Sequence, residues 1–393
     1  MSRRAGAVDA IVVGGGVVGA ACALALARSG LDVVMVEGRG PPQWSREAPD
    51  LRVFAFAADN AALFERLGAW QTIASTRVQP YRRMRVWDAA GGGELVFDAD
   101  AYGRRELGWI IENGLLQDRL WAALGPAGVR IECPARVEAL EQQEDGVRLR
   151  LDDGRWLQAR LAVAADGARS TLRELAGIAA SVHDYGQRGV VGYVSTGLPH
   201  EETAWQRFLP GGPLALLPFA DGSCSIVWSL PAADAARVLS LDDAAFADEL
   251  TRAADGRRGA LRPVSPRAAF PLQRQLAARC LEGRVAVLGD AAHVVHPLAG
   301  QGVNLGLRDV GALQAMVEAA IRDGADWAAG SRLARWARQR RSEAAVAAHA
   351  FEAIHRVYTS ERPAAVLLRG PLLGLAGRLP PLTHALWRRA AGL

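Results

Sequence analysis

The hydrophobic pattern at the N-terminus predicts a strand, a turn, a helix and a second strand in immediate succession. Residues 10–13 form a short apolar run that is typical of a buried strand, and a glycine-rich turn follows. Residues 17–29 have the composition of a helix that ends at Gly30. A second strand-like run over residues 31–36 leads to Glu37. This order of elements is typical of the start of a parallel α/β sheet.

The same stretch also permits a membrane span or a secretion signal, because residues 10–27 carry no charge and Arg3 and Arg4 precede them. The segment Ala25-Leu26-Ala27 resembles a signal cleavage site. Asp9 at the entrance of the run, the glycines within it and the strand-like run that follows argue against both alternatives. We therefore interpret the stretch as part of a folded domain.

Beyond residue 50 the pattern alternates between helix-type and strand-type segments. Residues 50–70 begin extended and become an amphipathic helix through Leu63 and Leu67. Further strands are expected in residues 81–97, 147–157, 161–165, 185–228 and 285–288. Further helices are expected in residues 108–124 and 231–260, and from 309 to 340 and beyond.

This alternation predicts a discontinuous first domain that the chain leaves and re-enters. A chain of 393 residues is also too long for one compact core. We expect the first domain in residues 1–75, 105–180 and 265–330, a second domain in 76–104 and 181–264, and a helical C-terminal region in 331–393. The C-terminal tail carries leucine clusters and arginines. It could lie on a membrane surface or dock a partner, and we favour an ordinary covering helix pair.

The composition is that of a soluble globular protein, with 50% hydrophobic and 22% charged residues. The net charge of +4 is too diffuse to indicate nucleic-acid binding. All 46 basic residues are arginine, which excludes a Schiff-base lysine and a phosphate-loop lysine. The four cysteines are far apart, and the seven histidines form no HExxH motif. We therefore expect neither a metal site nor a disulfide framework, and a reducing cytoplasm fits best.

Three strand ends carry the candidate chemistry. After the first strand, Gly14, Gly16 and Gly19 have the GxGxxG spacing, in which the glycines allow a tight turn, close approach of a pyrophosphate and close helix packing. Glu37 lies 21 residues after Gly16, where an acid can hold ribose hydroxyls. A second acid and glycine follow residues 161–165 as Asp166-Gly167. The third site is Gly289-Asp290, after the apolar run 285–288.

Several polar side chains near these strand ends remain ambiguous. Arg52 could face a phosphate or a flavin edge, or be a solvated arginine. Asn113 and Gln117 could be ordinary cap or helix-surface residues, and we favour this interpretation for Gln117. His293 and His296 could assist phenol deprotonation, although we favour a structural role. No catalytic base is assigned.

The three sites together resemble the aromatic-hydroxylase class of flavoprotein monooxygenases, whose fold is like that of p-hydroxybenzoate hydroxylase. The segment HPLAGQGVNLGLRD is similar to the signature of the ubiquinone-biosynthesis FAD-dependent hydroxylases. The segments DLRV, PYRRM, LGWIIEN, VAADGARSTLRELAGI, AWQRFLPGGPLALLPFADGSCSIVWSL and AFPLQ also resemble that family. The resemblance implies an α/β fold with a Rossmann-like FAD-binding domain, a sheet-rich substrate domain and a helical C-terminal region.

The resemblance also implies the cofactors and the residues that hold them. FAD would be reduced by NAD(P)H or another reductant, and the flavin hydroperoxide formed with dioxygen would hydroxylate a phenol ring. Asp166 would serve both FAD and the nicotinamide donor, and Pro297 would border the space of the flavin peroxide. The implied FAD contacts are Gly14, Gly16 and Gly19 for the pyrophosphate, Glu37 for the adenosine ribose, Asp290 for the ribityl chain, Gly302, Val303 and Asn304 for the flavin ring through main-chain groups, and Arg52 and Asn113 at the flavin.

The function implied by the resemblance is hydroxylation of a polyprenylated phenol or quinone precursor in ubiquinone biosynthesis. The alternatives are a hydroxylase of the same fold for a soluble aromatic or secondary metabolite, and a flavin-binding scaffold within a biosynthetic complex. Partners would be a small aromatic substrate and dioxygen, with membrane contact at the inner face left open and no nucleic acid. Phe54 and Phe56 depart from the small or polar residues that the family usually carries there.

Overall fold

The structure is a computed structural model that describes residues 7–91, 93–295, 302–359, 369–370, 374 and 379–392. The strands are β1 Val8–Val13, β2 Val33–Val36, β3 Val53–Phe56, β4 Gln79–Tyr81, β5 Arg83–Asp88, β6 Glu94–Asp98, β7 Gly108–Glu112, β8 Arg130–Glu132, β9 Val137–Gln142, β10 Val147–Leu151, β11 Trp156–Ala164, β12 Ala180–Thr196, β13 Thr203–Leu209, β14 Gly212–Pro218, β15 Cys224–Pro231, β16 Leu261–Pro263, β17 Ala268–Ala277, β18 Leu281–Glu282, β19 Val285–Val287 and β20 His293–Val294.

The helices are α1 Val17–Arg28, α2 Ala58–Arg66, α3 Trp70–Ala74, α4 Asn113–Leu124, α5 Thr171–Leu175, α6 Ala232–Ser240, α7 Asp243–Ala253, α8 Gly302–Arg322, α9 Gly330–Thr359 and α10 Pro380–Ala391. Short 3₁₀ turns occupy Asp100–Tyr102 and Gly289–Ala291. No helix in the described ranges is long and apolar enough to cross a bilayer.

The first sheet has the strand order β18-β19-β11-β1-β2-β8. Strand β10 pairs antiparallel with β11, and β9 pairs antiparallel with β10. Strands β19, β11, β1, β2 and β8 run parallel to one another. All residues of β1, β2 and β19 are buried. Helix α1 packs on β1 and β2, and helices α4 and α8 pack on α1. The predicted strand, turn, helix and strand at the N-terminus are confirmed.

The second sheet has the order β20-β17-β12-β15-β14-β13-β5-β6, with β16 attached to β12. Its neighbours are antiparallel except for the parallel pair β13 and β5. Helix α9 lies against strands β13, β14 and β17 of this sheet. Strand β17 begins within the predicted third segment of the first domain, yet it pairs with β12. It therefore carries the chain from one sheet to the other.

A small third sheet, β3-β7-β4, joins the two larger sheets and corrects one expectation. Residues 108–124 were expected to be helical throughout, but Gly108–Glu112 form strand β7, which pairs with both β3 and β4. The apolar run Gly108-Trp-Ile-Ile suits either a buried helix or a buried strand, and the pairing partners decide between them. The residues expected as two segments, 156–157 and 161–165, form the single strand β11.

The described part of the C-terminal tail packs on the second sheet. The Arg369 guanidinium donates to the Asp88 carboxylate at 2.6 Å and to the carbonyl oxygen of Tyr358 at 2.7 Å, with the charged pair buried. The Trp387 ring of α10 stacks on Tyr102 at 4.7 Å between ring centroids. These contacts hold α9 and α10 over the end of the sheet at β5 and β6.

Candidate functional site

A continuous cavity of about 2350 Å³ runs from the carboxyl ends of β1, β2 and β11 to the inner face of the second sheet. This is the edge at which open α/β sheets bind ligands. The predicted site residues that line the cavity are Gly14, Gly16, Glu37, Arg52, Asn113, Asp166, Asp290, Gly302 and Val303. Gly19 and Asn304 do not line it, and Pro297 lies outside the described residues.

The GxGxxG turn needs its first and third glycines for packing. Gly14 has φ +108°, and a Cβ there would lie 2.4 Å from the carbonyl oxygen of Ala165. A Cβ on Gly19 would lie 1.9 Å from the carbonyl oxygen of Gly14, so α1 can approach the turn only with glycine here. A Cβ on Gly16 would meet no atom of the described residues within 4 Å. Gly16 therefore leaves open space where the N-terminus of α1 faces the cavity.

The central peptide of this turn is held from both sides. The Gly15 N–H donates to the Glu37 carboxylate at 2.5 Å, and the Gly15 carbonyl accepts from Gln117 Nε2 at 3.0 Å and Trp121 Nε1 at 2.7 Å. Gln117 was favoured as a helix-surface residue, and the structure instead places its amide against the turn. Trp121 was not anticipated, although both side chains lie one turn apart on α4.

The Asp166 turn follows β11 and leads into α5. The Asp166 carboxylate accepts from Ser170 Oγ and from the Leu172 N–H at 3.1 Å, while Gly167 has φ +84°. Burial raises the pKa of Asp166 above its ordinary value, although these hydrogen bonds oppose the shift. The turn is thus internally hydrogen-bonded, and Asp166 still borders the cavity.

Asp290 has the chemistry of a ligand-binding acid. It lies in the 3₁₀ turn Gly289–Ala291, and its side chain is exposed to the cavity that it lines. Desolvation by the surrounding protein raises the pKa of Asp290, and the positive charges of His293 and Arg52 partly offset this effect. Its carboxylate has no hydrogen-bond partner among the described residues. It is therefore available to accept from the hydroxyls of a ligand.

Asp309 of α8 holds both ends of the Asp290 turn. Its Oδ2 accepts from the Gly289 N–H at 3.1 Å and lies 2.6 Å from His293 Nε2. Burial alone lowers the pKa of His293, but the Asp309 carboxylate outweighs it and raises the pKa. His293 is buried behind the turn and does not line the cavity, which supports its structural role over a role as a base. His296 lies outside the described residues.

Arg173 ties the second acidic turn to the third. Its Nη1 donates to the carbonyl oxygen of Ala168 at 2.9 Å and to that of Ala291 at 3.1 Å. Arg173 is only 5% exposed. No spacing in the sequence indicates this residue. An arginine in the helix that directly follows an acid-and-glycine turn is the pattern that could have indicated it.

Arg52 and Asn113 meet at Asp50, on the cavity wall. Asn113 Nδ2 donates to Asp50 Oδ2 at 3.0 Å, and the Asn113 N–H donates to the carbonyl oxygen of Arg52 at 2.9 Å. The Arg52 guanidinium lies 3.6 Å from the Asp50 carboxylate, and its side chain is 57% exposed. Arg52 therefore presents a cation to the cavity, and it lies near enough to Asp290 to oppose the rise in that residue's pKa.

The Asn304 side chain fastens α8 to the segment between β3 and α2. Its Oδ1 accepts from the Ala57 N–H at 3.0 Å and from Asn60 Nδ2 at 2.9 Å, and its Nδ2 donates to the carbonyl oxygen of Ala55 at 2.8 Å. A flavin contact of Asn304 through its main chain stays a prediction. The sequence did not indicate Asn60, which completes this buried network.

The two phenylalanines that depart from the family pattern have different environments. Phe56 is fully buried, and its ring lies 5.1 Å from that of Phe64 and 5.9 Å from that of Trp70, measured between centroids. Phe54 lines the cavity. Phe56 therefore belongs to the core, and Phe54 shapes the space open to a ligand.

The chain matches the family described as FAD binding domain over residues 7–350. It is 37% identical over 387 residues to ubiquinone hydroxylase UbiL of Rhodospirillum rubrum, covering 98% of this chain and 89% of that protein. It is 34% identical over 384 residues to 3-demethoxyubiquinol 3-hydroxylase of Escherichia coli, covering 97% of this chain and 98% of that protein.

Among solved structures, p-nitrophenol 4-monooxygenase PnpA from Pseudomonas putida has a TM-score of 0.77 to this chain at 21% sequence identity, covering 98% of this chain and 97% of that chain. This likeness confirms the predicted fold class. The match over residues 7–350 and the identity to two full-length hydroxylases confirm the family. The chain belongs to the FAD-dependent monooxygenase family that includes the ubiquinone-biosynthesis hydroxylases.

Proposed function

We propose that this monooxygenase hydroxylates the ring of a polyprenylated phenol or quinone precursor in ubiquinone biosynthesis. The proposal rests mainly on one continuous cavity, which is lined by polar residues at the strand ends of the first sheet and by apolar residues along the second sheet. The related proteins named for ubiquinone hydroxylation support the same substrate class. A long apolar tail needs an apolar wall of this kind, because burying its carbon surface is the main favourable term in its binding.

The residues at the polar end fit FAD. Gly16 leaves open space beside the N-terminus of α1, where main-chain N–H groups suit a pyrophosphate. Glu37 would hold the adenosine ribose. The Asp290 carboxylate, which has no hydrogen-bond partner among the described residues, would accept from the ribityl hydroxyls. At Gly302 a Cβ would meet no atom of the described residues within 4 Å, which would let a flat ring approach the N-terminus of α8.

Bound FAD supplies the activation of dioxygen: one oxygen atom enters the ring as a hydroxyl and the other leaves as water, with two electrons from NAD(P)H. The chain's own part is to orient the ring and to exclude water from it. Phe54 and Leu217 are among the apolar side chains that line the cavity. Asp166 and Arg169 border the same cavity and would meet the electron donor.

The substrate assignment is tested by mass spectrometry of quinone intermediates in a deletion strain. We expect ubiquinone to be lost and a less hydroxylated precursor to accumulate, with the wild-type chain restoring ubiquinone. Normal ubiquinone without any accumulated intermediate would contradict the assignment and favour a soluble aromatic substrate. If the purified protein is yellow but consumes neither NADPH nor oxygen with any phenol, it is a flavin-binding scaffold instead.

We further propose that the mouth of the cavity contacts a membrane surface. Val346 and Ile354 of α9 and Leu386 of α10 line the cavity, yet they are 49%, 40% and 44% exposed, so they form an apolar rim at its opening. Arg356 on α9, whose side chain is exposed and pairs with Glu352, lies close to Ile354 of that rim. A substrate with a long apolar tail dissolves in the bilayer, and a rim of this kind would let it enter without crossing water.

Vesicle co-sedimentation tests this contact with phosphatidylcholine alone and with added phosphatidylglycerol. Leu386→Ser should reduce binding to both, while Ile321→Ser, at an equally exposed position of 44% on α8 that does not line the cavity, should not. Equal binding of the two variants, or no binding of the wild type, would contradict a membrane-facing mouth and favour a soluble partner.

A further inference from the structure

One transverse row of side chains on the second sheet forms a wall of the cavity. The pairing register places Gln206 of β13 opposite Ala215 of β14 and Val86 of β5. Beyond Ala215 the row continues to Val227 of β15 and then to Val191 of β12. Beyond Val86 it continues to Leu95 of β6. Each of these residues lines the cavity. Gln206 is therefore an amide in the middle of an otherwise apolar row.

The positions before and after Gln206 on the same face are apolar as well. Ala204 and Phe208 lie two residues away along β13, and both line the cavity. The Phe208 ring stacks on Tyr358 of α9 at 3.8 Å between centroids. Gln206 is thus flanked by apolar side chains along its strand and across the sheet.

The Gln206 amide is buried but has no partner within the described chain. The residue is 6% exposed, and neither its oxygen nor its nitrogen hydrogen bonds to any described residue. Its polar atoms are not sealed inside the protein and face the cavity. Other buried amides behave differently: Gln187 Nε2 donates to the carbonyl oxygen of Gly211 and Gln275 Nε2 to that of Ala168, both at 2.8 Å.

An amide in an apolar wall is unfavourable unless a ligand or water hydrogen bonds to it. A leucine or methionine of similar size would fit the same row without that cost. The position of Gln206 is therefore explained by a polar group on a molecule that occupies the apolar half of the cavity.

We infer that Gln206 is a specificity-determining residue that hydrogen bonds to an oxygen substituent on the aromatic ring of the substrate. This inference rests on the proposed function of the same cavity. An amide can donate to a ring hydroxyl or carbonyl oxygen and accept from a ring hydroxyl. With the apolar tail held along the remaining wall, this single polar contact fixes the rotation of the ring and decides which ring carbon faces the flavin.

The test compares two probes that differ by one oxygen atom, ortho-geranylphenol and geranylbenzene. Their binding to the FAD-loaded protein is followed by the change in flavin absorbance. We expect the wild type to bind the phenol about tenfold more tightly, the factor of one net hydrogen bond. Gln206→Leu should abolish this preference while binding geranylbenzene at least as well as the wild type does.

Two further variants separate the inference from a folding defect. Gln206→Met keeps an unbranched side chain and should behave as Gln206→Leu does, and Gln71→Leu makes the same change at an exposed position on α3 and should keep the preference. FAD content and thermal midpoint should match the wild type in all three. In turnover, the Gln206 variants should pass more of the donor's electrons to hydrogen peroxide, or they should hydroxylate a different ring carbon.

The inference is overturned if the wild type shows no preference for the phenol, or if the Gln206 variants retain it. Failure of the proposed substrate class is a separate result. A deletion strain with normal ubiquinone would remove the ubiquinone assignment. A phenol preference that depends on Gln206 would then still show that this amide recognises a ring oxygen.

Discussion

Replacing Asp309 with asparagine tests whether one buried carboxylate holds the turn that presents Asp290. The wild-type carboxylate contacts the Gly289 N–H and His293 Nε2, and Arg340 Nη1 lies 4.0 Å from its other oxygen. Asparagine has the same shape, so the Asp309→Asn variant removes the charge without opening a cavity.

The expected magnitude follows from the burial of the charged groups. The side chains of Asp309, His293 and Arg340 are 4%, 1% and 6% exposed, so the lost charge is not replaced by water. Removing one partner of a buried ion pair costs roughly 3–5 kcal/mol. Arg340 keeps its contact with Glu343, and the new side chain can still accept from Gly289. We therefore expect the free energy of unfolding to fall by about 3 kcal/mol, the lower end of that range.

The assay is urea unfolding of the FAD-loaded protein, combined with titration of the apoprotein with FAD. Asp309→Asn should lower the urea midpoint and weaken FAD binding, because the turn around Asp290 loosens. Asp323→Asn makes the same change at the exposed end of α8 and should match the wild type in both measurements. If Asp309→Asn destabilises the protein no more than Asp323→Asn does, the carboxylate does not hold the turn.

Three shorter predictions concern the same strand ends. Gly19→Ala should release FAD and destabilise the protein by roughly 1–3 kcal/mol, because its Cβ would overlap the carbonyl oxygen of Gly14. A variant that retains full FAD content would contradict this prediction. Asp290→Asn should weaken FAD binding about tenfold. The stability of the apoprotein should not change, since the Asp290 carboxylate has no hydrogen-bond partner in the described chain. An unchanged affinity for FAD would refute the assignment of Asp290 as an FAD-binding residue. Asp309 and Asp290 raise the pKa of His293 in the folded protein above its ordinary value of 6.5. The stabilisation that comes from protonated His293 should therefore be fully present below pH 6.5 and be lost as the pH rises through the pKa of the folded protein. Urea midpoints measured across this range should fall in the wild type but stay flat in His293→Gln.

The sequence predicted what depends on neighbouring residues. The strand before Gly14, the helix after Gly16 and the acid Glu37 at the end of the second strand lie within one continuous segment, where hydrophobic period and turn chemistry act locally. The same reasoning located Asp166 and Asp290, since each acid directly follows a buried strand. It failed for residues 108–112, whose strand conformation depends on pairing with distant partners.

Only the tertiary structure decided which distant residues meet. Asp309 contacts the Asp290 turn, and Trp121 reaches the glycine turn, because packing of α8 and α4 brings together positions that no sequence spacing relates. Gln206 reads as an ordinary strand residue until the register of the second sheet places it among apolar side chains over the cavity. Local sequence patterns determine the backbone conformation and which residue types follow each strand. Strand order and register determine which side of a sheet a side chain lies on, how deeply it is buried and which distant residues it contacts. The sequence alone therefore determined the fold class and the acids at the strand ends, and tertiary packing decided how those acids are held and which side chains line the cavity.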